Sequence, residues 1–362
     1  MENEIQHDKQ QAEDSKRGSL LDRRGFITGS LCVGSLAAAA VAVAADEKVP
    51  AGRKQPMGLD LGKARTLPAG RYDEHIHIYQ DGAAKPEAFA SRLAEAGLAG
   101  GCVYSRQQAP EPRLSNTTCL TPEQIVDNVI EWCSASPTLY PFYWIDPSRP
   151  DAVDLVDMAV EKGIYGFKVI RNNGYPCDGP ALDCYRRMAY WNKPLTFHSG
   201  ILYDGVPSSE YFRPVAFEGL LRAPGLRFAL AHISWPWCDE CIAFAGKMAD
   251  ASHQLLLKRP DATSRKQGAQ VDETHMFIDS TPGAHDLWRR DAFTKIYGTS
   301  FREIINKRLM FGTDCTVHDY RVAYSRKYQG LDDGFLREHQ ATAEEIDAYY
   351  RTTLQTYLFG NE

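Results

Sequence analysis

The sequence predicts one (β/α)8 barrel over residues 71–362, on three observations. Short β-branched or aromatic runs alternate with amphipathic stretches, a pattern that implies parallel strands joined by crossover helices. Eight such units can be read, the number that closes a barrel. The first strand ends in His75-Ile76-His77 with no glycine-rich phosphate loop behind it, which disfavours the doubly wound open sheet that the same alternation allows.

The units follow in order. Residues 71–79 read as strand one, 85–97 as a helix, and 101–105 as strand two. After a loop rich in Pro, Ser, Asn and Thr, Thr121-Pro122-Glu123-Gln124 supplies an N-cap with proline at the first helical position. Residues 139–145 read as strand three, and 151–162 as a helix with Val153, Val156, Met158 and Val160 inward. Strand four is 164–170, its helix 180–191, and strand five the short run 195–198. A helix around 215–221 leads to strand six at 226–232. Residues 238–257 are mostly helical, the polar stretch 258–272 is a surface insertion, and 275–280 is strand seven. A helical stretch at 286–306 precedes strand eight at 308–313, and 343–358 closes the chain as a helix.

Residues 1–45 are of another kind. Arg23-Arg24-Gly25-Phe26-Ile27 precedes a weakly apolar run of Ala, Gly, Val and Leu that ends in small residues, the pattern of an export signal. It resembles a twin-arginine signal, which implies the twin-arginine translocation machinery as a partner and an exported, periplasmic or extracytoplasmic protein cleaved after Ala44 or Ala45. An uncleaved signal would make it a membrane anchor. Residues 46–70, with no apolar period, read as a linker. Five basic and six acidic residues leave with the signal, so the mature chain is mildly acidic, which argues against nucleic-acid binding. Eight of the nine cysteines lie beyond the signal. Cys238 and Cys241 form a lone CxxC, open to a disulfide or to free thiols and a weak case for a structural zinc knuckle.

The chemistry gathers at strand ends, which in a parallel barrel open on one face. Asp73, His75 and His77 alternate along strand one, so a period of two puts all three on one face and lets the imidazoles clamp a cation such as zinc. By the same alternation Glu74 lies on the outer face beneath a helix, paired with a cation. Strand four carries Lys168, strands five and six end at His198 and His232, and strand eight ends at Gly312-Thr313-Asp314. On the rim, Trp235 and Trp237 follow His232 as a candidate apolar wall. Arg171, Asn172, Asn173 and His318 are candidates to bind a substrate carboxylate or hydroxyl. Cys315 and Ser199 have no oriented base and read as bystanders.

Asp73-Glu74-His75-Ile76-His77, His198, His232 and Met310-Phe311-Gly312-Thr313-Asp314 together resemble the metal-dependent amidohydrolase superfamily, in the branch with lactonases and non-oxidative decarboxylases. The resemblance implies His75 and His77 as ligands of one divalent metal, zinc first and manganese second, with His198 a third ligand and Asp314 a fourth that also handles protons. His232 then binds a second metal or polarises water or substrate. Lys168, costly in a buried strand unless paired or modified, bridges two metals if it is carboxylated and otherwise pairs with a carboxylate or binds substrate. The implied activity is a metal-dependent hydrolase using activated water on an ester, lactone or amide of a small molecule. A decarboxylase on the same site is the alternative, and a non-catalytic metal-binding barrel the second. The resemblance leaves a homo-oligomer open.

Overall fold

The computed structural model describes residues 60–79, 82–107, 119–257, 275–283 and 286–360. The export segment, most of the linker and the whole insertion at 258–272 lie outside the described residues. Among the described residues no helix is long and apolar enough to cross a membrane.

Among the described residues nine strands, all parallel, form one sheet. They are β1 (Arg71–His77), β2 (Leu98–Tyr104), β3 (Leu139–Trp144), β4 (Gly166–Val169), β5 (Leu195–Phe197), β6 (Arg227–Leu230), β7 (His275–Asp279), β8 (Leu309–Met310) and β9 (Cys315–Thr316). They hydrogen-bond in the order β8-β7-β6-β5-β4-β3-β2-β1-β9. β8 falls inside the predicted eighth strand, and β9 lies just beyond its predicted end, after a break at Phe311–Asp314. The sheet closes between them: the Glu74 N–H donates to the Phe311 carbonyl at 2.9 Å, and the Asp314 N–H to the His75 carbonyl at 2.9 Å. This is the eight-stranded barrel the alternation predicts.

Helices cover the outside: α1 (Pro86–Glu95), α2 (Pro122–Cys133), α3 (Ala152–Glu161), α4 (Ala181–Tyr190), α5 (Cys238–Leu257), α6 (Asp286–Tyr297), α7 (Arg302–Ile305) and α8 (Val322–Glu338). Thr121 caps α2 through a full capping box with Gln124. α3 turns Ala152, Leu155, Val156, Ala159 and Val160 to the core. Val156 and Val160 are inward as expected, but Val153 and Met158 are only half-buried, because a helix buries positions three and four apart and not alternate ones. The segment between β5 and β6 is 3₁₀ (Pro214–Arg222) rather than α-helical. The predicted last helix is three pieces, α9 (Ala343–Asp347), a π turn at Ala348–Thr352 and α10 (Thr353–Phe359).

α8 has no counterpart in the sequence reading. It buries Ser325, Gln329 and Asp332 beside Tyr328, Phe335 and Leu336, so polar residues occupy part of its inward stripe and Gly330 and Gly334 dilute its helix propensity. Asp332 has a reason to be there. Its carboxylate receives both Nε and Nη2 of Arg289 from α6 at 2.6 Å and the Tyr349 hydroxyl at 2.6 Å, while Arg289 also reaches the Ser280 carbonyl at the end of β7. Both side chains are buried, at 1% and 0% exposure.

One apolar layer lies between strands and helices. A second fills the barrel's lower interior with Tyr72, Tyr140, Phe142, Phe277 and Met310 and is stoppered by Leu354, Tyr357 and Leu358 of α10. Arg227 at the start of β6 fixes that helix end by donating to the carbonyls of Tyr357 and Leu358 at 2.9 and 3.1 Å. The eight cysteines in the described residues are all free, and all but Cys119 are buried.

Asp332→Leu is expected to cost about 3–5 kcal/mol of unfolding free energy, because it strands a buried guanidinium. Adding Arg289→Met should recover most of that loss. Urea unfolding of the two variants measures both, and a loss below about 1 kcal/mol for Asp332→Leu would rank the pair with ordinary surface bridges.

Candidate metal centre

β1 is where the site begins, and it does not alternate as expected. From Asp73 to Ile76 it advances three residues while its partner β2 advances two, from Gly101 to Val103. This bulge resets the phase of the side chains. His75 and His77 lie in the interior as predicted, but they are joined by Glu74 and not by Asp73. Glu74 is fully buried in the barrel, where its Oε1 accepts from the hydroxyls of Tyr104 and Thr196, the latter at 2.8 Å. It has no surface cation. Asp73 turns instead to the break in strand eight, accepting from Thr313 N at 2.9 Å, Thr313 Oγ1 at 2.5 Å and the Tyr320 hydroxyl at 2.7 Å.

That break brings Asp314 to the imidazoles. Gly312 passes so close to β1 and β7 that a Cβ would lie 2.5 Å from Thr281 Oγ1 and 2.9 Å from His75 Cβ. Asp314 then adopts φ 60°, a left-handed conformation that Asp tolerates, and its Oδ1 lies 3.3 Å from His77 Nε2 and 3.8 Å from His75 Nε2. The two Nε2 atoms are 2.9 Å apart. A tetrahedral ion with bonds of about 2.0–2.1 Å separates neighbouring donors by about 3.3 Å, so these distances bracket what one ion would require.

Further nitrogens surround this group. The rings of His198 and His232 are 5.0 Å apart, and His232 lies 5.4 Å from the His75 ring. His77 Nδ1, His198 Nε2 and His232 Nδ1 are buried with no hydrogen-bond partner among the described residues. Burial, reinforced by the neighbouring rings, holds the imidazoles of His77 and His198 well below their usual range. Burial takes His232 to about 4 against the opposing pull of Asp314 and Asp279. The rings are therefore neutral near pH 7, the form that binds a metal. Together with the unpartnered nitrogens, this donor set fits a divalent ion. His75, His77 and Asp314 form the tight group, while His198 stands beyond it, beside His232.

Lys168 projects inward from β4, its Nζ 3.3 Å from His75 Nε2 and 4.9 Å from the Tyr104 ring centre. Burial lowers its pKa against the attraction of Asp279, Glu74 and Asp314. His232 begins three successive left-handed residues, with φ 62°, 46° and 54° at His232, Ile233 and Ser234. Such backbone costs on the order of 1–3 kcal/mol per residue and needs neighbours to hold it. Ser234 is held by Ser199 Oγ at 2.6 Å, which gives Ser199 a structural task.

Of the rim candidates, Trp235 is half-buried with an unpartnered Nε1, and Trp237 lies under the Arg213 guanidinium at 5.3 Å. Arg171 donates to the carbonyls of Tyr175 and Asp178 in its own loop at 2.8 and 2.9 Å. His318 packs edge-on against Trp132 at 4.9 Å.

Three residues join the site that the sequence reading passed over. Asp279 ends β7 with Oδ2 2.8 Å from His75 Nδ1. Tyr79 stacks on His77 at 4.5 Å and donates to Asp314 Oδ1 at 3.3 Å. Trp144, ending β3, packs 5.8 Å from the His77 ring. Asp279 and Trp144 obey the strand-end rule that found the others.

Residues 72–353 match the model of the amidohydrolase family. Among solved structures, the chain is similar to 2,6-dihydroxybenzoate decarboxylase from Rhizobium, at 15% identity and TM-score 0.49, covering 80% of this chain and 98% of that one. It is similar to a TIM-barrel protein from Bordetella bronchiseptica, at 15% identity and TM-score 0.49, covering 75% and 99%. It is also similar to a dihydroorotase from Campylobacter jejuni, at 11% identity and TM-score 0.47, covering 81% and 84%. No curated protein matches.

The combined substitution of His75 and His77 by Ala is expected to abolish metal binding while leaving far-ultraviolet dichroism unchanged. Elemental analysis of the purified variant checks this, and undiminished metal content would remove both residues from the ligand set.

Proposed function

The chain belongs to the amidohydrolase family, and from that premise we propose that it is a metal-dependent hydrolase acting on an ester, lactone or amide bond of a small molecule, with Asp314 as its proton-transfer group. One observation carries the reading. Among the three donors of the tight group, the Asp314 side chain is 33% exposed while those of His75 and His77 are 1% and 2% exposed. The imidazoles are shut in the floor; the carboxylate alone faces the open mouth, where water and substrate arrive.

A divalent ion, zinc before manganese on a mainly imidazole donor set, would be held by His75, His77 and Asp314, with His198 adjacent, and supplies Lewis-acid polarisation when bound. The chain's own groups do the rest. Asp314 accepts the proton of the attacking water through its mouth-facing carboxylate and returns it to the leaving oxygen or nitrogen, so the proton count balances. Tyr79, bonded to Asp314 Oδ1 and stacked on His77, limits the directions in which that carboxylate can swing. His232, neutral across the physiological range, is suited to hydrogen-bond a substrate carbonyl oxygen as charge grows on it. Tyr79, Trp144 and Trp235 give the mouth apolar surface for the body of a small substrate. The twin-arginine motif supports action after export.

Asp314→Asn keeps an oxygen near the ion but removes the base, so the metal-loaded variant is expected to lose about 10²–10⁴-fold in kcat with its metal content retained. A panel of lactones, esters and amides assayed in ¹⁸O-labelled water identifies the reaction. One labelled oxygen in the product acid is expected, whereas carbon dioxide release with no labelled oxygen in the organic product would make the protein a lyase. Turnover unchanged in metal-replete Asp314→Asn would end the proton-transfer role.

A further inference from the structure

Asp279 is fully buried at the end of β7, and both its oxygens are engaged. Oδ1 accepts the backbone N–H groups of His232 and Thr281, each at 2.9 Å, and Oδ2 lies 2.8 Å from His75 Nδ1. We propose that Asp279 is a positioning residue of the metal centre: it fixes His75 as the Nδ1–H tautomer, leaving the Nε2 lone pair for the ion, and pins the backbone that carries His232. The inference rests on the reading of His75, His77 and Asp314 as the metal site.

The argument is one of donors and acceptors. An ionised carboxylate has only acceptors, so the hydrogen shared by Oδ2 and Nδ1 comes from the ring. A neutral imidazole has one N–H, hence Nε2 carries the lone pair. Lys168 Nζ, 3.3 Å from Nε2, can donate to that lone pair. The other end of Asp279 meets the first N–H of the left-handed stretch His232–Ser234, a conformation that the chain does not hold unaided. One carboxylate thus sets the ring of one imidazole and the backbone of another, on strands from different parts of the chain. Glu74, His75 and Asp279 also bring ligand atoms close together. However, the His75–Asp279 contact has hydrogen-bond length, and Glu74 Oε1 is taken by Tyr104 and Thr196.

Asp279→Asn discriminates sharply. Its amide oxygen must stay toward the two backbone N–H groups, so its NH₂ faces His75 Nδ1 and donates to it. The ring is then driven to the Nε2–H tautomer and loses the lone pair the ion needs. Zinc affinity of the full-length protein, measured by competition with a chromophoric chelator, is expected to fall about 10–100-fold. In ¹⁵N-histidine spectra of zinc-free protein, the His75 signal, assigned by its absence in His75→Gln, should report Nδ1–H in the parent and Nε2–H in the variant. Zinc affinity within about threefold of the parent would overturn the proposal, since outer partners of ligating histidines ordinarily matter more than that. So would an Nε2–H tautomer for His75 in the parent, a measurement that stands even if Asp279→Asn fails to fold. A loss in Glu74→Gln as large as in Asp279→Asn would also overturn it, by locating the ion among Glu74, His75 and Asp279. A parent protein that binds no zinc would sink the metal-centre reading, and the tautomer spectrum would still decide the role of Asp279.

Discussion

Between Asp73 and Ile76, strand β1 carries one residue more than its neighbour β2, and this bulge decides which side chains share the barrel interior. With regular pairing Asp73 would stand beside His75 and His77. With the bulge, Glu74 stands there, and Asp73 is released to grip Thr313 and Tyr320 where strand eight breaks. The break in turn frees Asp314 from strand geometry and swings it over the imidazoles. A local register shift on the first strand therefore settles the position of a carboxylate some 240 residues later in the chain.

The arrangement is expensive, and the fold shows how it is sustained. Glu74, Lys168 and Asp279 are all fully buried, where an unpaired charge is strongly unfavourable. Each is compensated by a particular neighbour: Tyr104 and Thr196 for Glu74, His75 and two backbone N–H groups for Asp279, the Tyr104 face and the surrounding carboxylates for Lys168. Burial and the nearby Asp279 push the Glu74 carboxyl well up, against the hydrogen bond from Tyr104 and the charge of Lys168. The strained backbone at His232–Ser234 is braced by Asp279 and Ser199. Cost of this kind persists when the surroundings over-determine it, here a barrel with an outer apolar layer and a stopper helix α10 whose Tyr357 hydroxyl meets Thr196 beneath Glu74.

Much of this was legible in the sequence. The strand–helix alternation carried the barrel, and strand ends carried His75, His77, His198, His232 and Asp314, because parallel strands present their last residues to one mouth. Three kinds of feature were not recovered, two of them hidden and one overlooked. The bulge left no mark, since Asp73-Glu74-His75 reads equally well as plain alternation, and so the two acids were assigned to the wrong faces. α8 was hidden because Asp332, Gln329 and Ser325 sit where a periodicity reading looks for apolar residues, their burial made acceptable by partners from elsewhere in the chain: Arg289 for Asp332, the Ala96 carbonyl for Gln329 and the Tyr320 hydroxyl for Ser325. Asp279 was readable by the strand-end rule and was passed over, because the residues two positions away, Phe277 and Thr281, form no ligand pair with it of the kind His75 and His77 make.

The central claim is that one divalent ion is held by His75 and His77 with Asp314 at the open side. Zinc-loaded crystals, with diffraction recorded on both sides of the zinc absorption edge, test it most directly. The account predicts a single strong anomalous peak about 2.0–2.2 Å from Nε2 of both histidines and from an Asp314 oxygen. A peak instead on the Nδ1 side of His75, between Glu74 and Asp279, or at the Cys238–Cys241 pair with none over His77, would contradict it.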